Sequence, residues 1–135
     1  MAIDAISFFT LSFFTHCYRY RFKKLMDVNV IGAVAVTKAF IPMIRNNNAG
    51  RIVFIGSISG LFALPGLSAY AASKHAIEAI ADSLRIELYP FNIPVSIIEP
   101  GNVETPIWDK GIAFADEMLN KSDKEIINLY SPLLA

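Results

Sequence analysis

Residues 50–74 read GRIVFIGSISGLFALPGLSAYAASK, and the order of events in this stretch decides the fold. Ile52, Val53, Phe54 and Ile55 form a short unbroken apolar run between Gly50 and Gly56. Its length and β-branched content predict a strand buried on both faces, as in a parallel sheet. Residues 58–67, with Gly60, Pro65 and Gly66, read as a loop. From Ser68 to about Tyr89 the apolar positions Ile77, Ile80, Leu84 and Leu88 recur at helical spacing, and Pro90 closes the helix. Ala71, Ala72, Ala76, Ala79 and Ala81 favour that helix and let a neighbour approach closely. A second apolar run, Val95-Ser96-Ile97-Ile98, ends at Glu99, Pro100 and Gly101. Strand, long helix, strand is a βαβ unit, so the fold class is α/β with the two strands parallel. Ligands of such sheets bind beyond the C-terminal ends of the strands. Ser57 and the Pro100-Gly101 pair both fall there, which predicts two polar segments converging on one edge.

Working outward, Phe22, Leu25, Met26, Ala33, Val36, Phe40 and Met43 predict a helix over 22–45, with Asn29 and Gly32 on the same stripe. Pro42 should kink or tighten its last turn, and NNNAG at 46–50 reads as the turn that stops it. A weaker helical pattern runs from about Ile112 to Tyr130. The first 21 residues differ in character: 5–14 are nearly all apolar or hydroxyl, followed by Arg19, Arg21, Lys23 and Lys24. A secretory signal wants positive charge before its apolar run, and here Asp4 is the early charge. The run is shorter than the roughly 20 apolar residues of a membrane span. The division expected is therefore a divergent segment, 1–21, and a domain, 22–135, with membrane association not the favoured reading.

Composition removes several function classes. Lys+Arg and Asp+Glu both number 12, so no basic surplus marks a nucleic-acid binder. Cys17 is the single cysteine, which precludes an internal disulfide and points to a reducing, cytoplasmic setting. His16 and His75 lie far apart with no cysteine or carboxylate at ligand spacing, so no metal site is expected.

The chemistry-bearing residues are Ser57, Tyr70 and Lys74. Tyr70 and Lys74, four apart, stack on one helix face. A free phenol titrates near pH 10 and is a poor acid or base at neutrality. An ammonium about 4 Å away stabilises its anion by Coulomb attraction. Ser57 could donate a hydrogen bond to an oxygen held between it and the tyrosine, so the set suits proton transfer to a carbon-bound oxygen. Alone, such a Tyr/Lys pair is most often a solvated helix face. It gains weight because the serine follows a strand, the pair opens the next helix, and a Pro-Gly turn closes the second strand.

These residues resemble the short-chain dehydrogenase/reductase family from about Phe22 to Asp109. FKKLMDVNVIG at 22–32 resembles the family helix that carries a catalytic asparagine, here Asn29. Ser57 stands thirteen residues before Tyr70, as in the family, and is favoured over Ser59 as the catalytic serine. Tyr70-Ala-Ala-Ser-Lys74 matches YxxxK, and Pro100-Gly101-Asn-Val103-Glu-Thr105 matches PGxVxT. The resemblance implies that Tyr70 is the general acid/base and that Lys74 assists it and bonds the nicotinamide ribose. It implies that Ser57 positions the substrate oxygen and Asn29 holds a relay water. Tyr70, Lys74, Pro100, Gly101, Val103 and Thr105 would contact NAD or NADP, and hydride would pass to or from a small-molecule alcohol or ketone.

The match also breaks. The family's TGxxxGxG turn is missing, and NNNAG lies downstream of the asparagine helix rather than upstream. The expectation is thus a partial Rossmann-like, doubly wound sheet lacking the N-terminal nucleotide-binding strands. Two readings follow: an NAD(P)-dependent oxidoreductase, or a truncated, inactive fragment that docks on other subunits. The family's usual homo-oligomer would form through helices 22–45 and 68–89. Leu61, Phe62, Leu64, Leu67 and Trp108 near the expected pocket mouth read either as ordinary loop packing or as the wall of a pocket for an apolar substrate of steroid, retinoid or lipid type.

Overall fold

Both apolar runs become strands. In the computed structural model β1 (Ile52–Ile55) and β2 (Val95–Ile98) pair in parallel, with Ile52 opposite Val95 and Ile55 opposite Ile98. The structure describes residues 18–47, 49–64 and 67–101. The expected helix at 112–130, with Val103, Thr105 and Trp108, lies outside them.

The upstream helix is longer and less regular than its apolar spacing predicts. It begins as α1 (Tyr18–Met26), widens into a π-helical segment (Asp27–Gly32) and continues as α2 (Ala33–Asn46). Helix is thus already present four residues before the predicted start at Phe22. Pro42 does not break α2, which runs on to Asn46 and closes with Asn47 N–H donating to Met43 O at 3.1 Å. The turn at Gly50 then reverses the chain. Gly50 sits at φ +139°, and a Cβ there would come within 2.9 Å of Ile44 Cγ2. Only glycine serves both needs.

After β1 comes a 3₁₀ turn (Ile58–Gly60), then α3 (Ser68–Glu87), a second 3₁₀ turn (Tyr89–Phe91) and β2. Asn92 leaves that second turn in the left-handed region, φ 55°, ψ 33°, which asparagine tolerates better than most side chains. The core lies between α3 and one face of the sheet: Phe54, Val95, Ile77, Ala81, Leu88 and Ile93, flanked by Ala33, Ile41 and Ile44 of α2. Ile77, Ile80, Leu84 and Leu88 thus face inward as their spacing predicts. Ala69, Ala71 and Ala81 are buried as well, and the π-helical segment and α1 pack against α3.

One expectation needs correction. The strands were expected to be buried on both faces, yet Val53, Ile55 and Ile98 are exposed while Phe54 and Val95 are buried. Strand side chains alternate with period two, and among the described residues the helices cover one face. Phe22–Asn46 is long and apolar enough to cross a membrane by length and composition. Ala33, Ile41 and Ile44 of this stretch pack on the core, whereas Val36, Phe40 and Met43 are exposed.

Candidate active site

Parallel pairing brings the C-terminal ends of β1 and β2 together, and backbone hydrogen bonds extend that union past the strands. Gly56 N–H donates to Ile98 O at 2.8 Å, and Ile58 N–H to Pro100 O at 3.2 Å. The loop carrying Ser57 is thereby tied to the Pro100-Gly101 segment, so the two polar segments do converge on one edge.

Ser57 caps the 3₁₀ turn. Its Oγ accepts from Ser59 N–H at 3.2 Å, and its carbonyl accepts from Gly60 N–H at 2.7 Å. Accepting at Oγ leaves the hydroxyl proton to donate. Ser59 is buried inside the same turn, where its amide helps to orient Ser57.

Tyr70 and Lys74 lie in the first turns of α3. Lys74 Nζ stands 5.6 Å from the Tyr70 ring centroid, within cation–π range. The same ammonium donates to Ile55 O, the last carbonyl of β1, at 3.0 Å. This bond docks α3 on the strand that delivers Ser57, two residues farther on. It leaves two further ammonium protons for other acceptors.

Asn29 reaches the same helix from the π-helical segment. Its Nδ2 donates to Ser73 Oγ at 3.1 Å, and Ser73 Oγ donates to Tyr70 O at 2.7 Å. Asn29 and Tyr70 are thus linked through one hydroxyl. Pro100 joins the site through the Ile58 bond, and no described residue lies within 4 Å of where a Cβ on Gly101 would be.

Two participants escaped the sequence reading. Ser73 lay inside YxxxK as a spacer, and its partner is 44 residues away. Glu78 lies four residues beyond Lys74, on the same face, and that spacing was the available signal. Its carboxyl fills the space left by two glycines: a Cβ on Gly56 or on Gly60 would sit 3.0 Å from Oε1. Oε1 is buried without a hydrogen-bond partner. Burial first, then the nearby Glu99 and Asp82 carboxylates, hold the Glu78 carboxyl above its ordinary range against the opposing pull of Arg85 and His75. His75 itself spends Nδ1 on Ala71 O at 2.9 Å. Among the described residues no three metal-ligating side chains come together.

A phenol whose ring faces an ammonium, on a helix tied to the strand that leads to a serine hydroxyl, is an arrangement that can move a proton at a carbon-bound oxygen. The sequence pattern of the short chain dehydrogenases matches residues 10–117, beginning inside the segment that composition set apart. An oxidoreductase of Bacillus subtilis, YusZ, is 45% identical over 92 residues, 68% of this chain and 33% of its own length. Human 17-beta-hydroxysteroid dehydrogenase type 1 is 36% identical over 111 residues, 82% of this chain and 34% of its own. The crystal structure of an NAD⁺-bound xylitol dehydrogenase superposes with a TM-score of 0.63 at 36% identity, over 66% of this chain and 35% of that one. The chain spans about a third of the length of these relatives. With the family's pattern matched over residues 10–117 and a βαβ unit within that span, this chain belongs to the short-chain dehydrogenase/reductase family.

Proposed function

We propose that this chain carries the proton-transfer centre of a nicotinamide-dependent oxidoreductase acting on an apolar alcohol or ketone. The observation that carries the reading is the placement of Lys74, against the Tyr70 ring and bonded to Ile55 O. It joins the helix of the phenol to the strand that leads to Ser57. Tyr70 gives the proton to the substrate oxygen or takes it, Ser57 donates a hydrogen bond to that oxygen, and Lys74 stabilises the phenolate. Asn29, bonded to Ser73, stands behind Tyr70 for a water-borne relay.

The residues present fit the nicotinamide end of the cofactor. Among the described residues nothing lies within 4 Å of a Cβ on Gly101, beside the Pro100 carbonyl that anchors the serine loop. Lys74, Tyr70, Pro100 and Gly101 would hold that end, with Val103 and Thr105 of the same motif. When bound, the nicotinamide supplies the hydride chemistry. The sequence has no TGxxxGxG turn, and no residue is assigned to the pyrophosphate. Exposed Leu61, Phe62 and Leu64 follow the serine loop and favour an apolar substrate, in keeping with the relative named for a hydroxysteroid.

The test is titration of the chain with NADH and NADPH, followed by turnover of hydrophobic ketones. Tyr70→Phe is expected to lower kcat by about 10²–10⁴-fold, the usual worth of an acid/base group, while dinucleotide binding persists. Near-normal turnover in that variant would refute the role of Tyr70.

A second reading has its own observation. Val36, Phe40 and Met43 expose an apolar face on α2. The groove between α2 and α3 carries Lys38 on one wall and Glu87 on the other. A second copy, turned by a two-fold axis, would meet opposite charge with opposite charge. In that reading the chain docks on other subunits and does no chemistry of its own. Absence of binding to either dinucleotide, with a dimer in sedimentation, would favour it.

A further inference from the structure

The π-helical segment and α3 meet at a hydroxyl with a single proton. Ser73 is wholly buried, 0% exposed, and its Oγ lies 2.7 Å from Tyr70 O and 3.1 Å from Asn29 Nδ2. A carbonyl oxygen can only accept, so the Ser73 proton is committed to Tyr70. Toward Asn29 the hydroxyl can then only accept. The amide of Asn29 must therefore turn its NH₂ to Ser73 and keep Oδ1 away from it.

We infer that Ser73 is a positioning residue: its hydroxyl sets the amide orientation of Asn29 and pins the π-helical segment to the turn of α3 that carries Tyr70. This rests on the reading of Asn29 and Tyr70 as partners in proton transfer, which makes their relative placement matter. The side chain suits the task. Ala69 and Ile77, four residues to either side on the same face, are buried as well, so this face of α3 is packed and a longer polar side chain would not fit. Alanine supplies neither bond. Threonine keeps both at the expense of one methyl group. Cysteine, a weak donor and acceptor, supplies little of either.

The test uses the chain labelled with ¹⁵N-asparagine. One side-chain NH₂ pair, identified by its loss in Asn29→Asp, is expected to exchange about tenfold or more slower than those of exposed asparagines such as Asn46 and Asn92. Ser73→Ala should bring it to the exposed rate, and Ser73→Thr should restore its protection. Fast exchange in the parent chain, or protection unchanged in a folded Ser73→Ala, overturns the inference. The parent measurement needs no variant, so it decides the matter even if Ser73→Ala does not fold. In turnover, Ser73→Ala should lower kcat about tenfold with KM within about twofold, as expected for misplaced catalytic groups, and Ser73→Thr should recover it. An unchanged kcat also overturns the positioning role. A parent chain with no turnover would sink the oxidoreductase reading and leave the exchange result to judge Ser73.

Discussion

Lys74 and Glu78 occupy one face of α3 and do opposite things with their charge. Lys74 finds a carbonyl, Ile55 O, at the end of β1. Glu78 is pressed between Gly56 and Gly60 with Oε1 unpartnered. Because burial and neighbouring carboxylates raise its pKa above the ordinary 4.5, the folded chain holds this proton to higher pH than the unfolded chain does. The contribution to stability is complete below the unfolded value and is lost as pH rises through the folded one. Glu78→Gln, which keeps the shape without the charge, should match the parent near pH 4. It should exceed the parent in urea-unfolding midpoint by a margin that grows toward pH 7. A margin independent of pH would contradict this account. Gly60→Ala should destabilise by about 1–3 kcal/mol in the same assay, the range for overpacking. Its methyl would meet Glu78 Oε1 at 3.0 Å and the Lys74 carbonyl at 3.2 Å.

At the scale of elements, the spacing of apolar residues placed β1, α3 and β2 because period two and period 3.6 are local properties of the chain. α3 was expected to Tyr89 and ends at Glu87, followed by a 3₁₀ turn through Pro90. The π-helical segment was not legible. Its i→i+5 widening carries no composition signature, and it sits where Val30 is buried and Asn29 turns to α3. The junction into β2 depends on Asn92 at φ 55°. Asn92→Val should lower stability by about 1–2 kcal/mol, the left-handed penalty, and Asn92→Gly should stay close to the parent. In the core, Ile77 is 2% exposed against Phe54 and Val95. Ile77→Ala should destabilise by about 2–5 kcal/mol in denaturant unfolding.

At the scale of the whole molecule, the described residues leave Val53, Ile55 and Ile98 exposed on one face of the sheet, and α2 presents Val36, Phe40 and Met43 outward. Apolar faces of this kind drive association. The chain should therefore sediment as a dimer or larger species at micromolar concentration, and Phe40→Glu should shift it toward monomer. Identical sedimentation of parent and variant would exclude the α2 face as the contact. The sequence by itself determined the α/β class, the parallel βαβ order, the placing of Ser57 and Pro100-Gly101 at strand ends and that of Tyr70 at the start of the helix between them. Each of these follows from residue type and spacing along one stretch of chain. Only the tertiary structure decided that Lys74 bonds Ile55 O and that Ser73 joins Asn29 to Tyr70. It alone decided that Glu78 fills the space beside two glycines and that the sheet is covered on one side. Those facts depend on which distant segments touch, and a hydrogen bond spanning 44 residues leaves no periodic mark in the order of the amino acids.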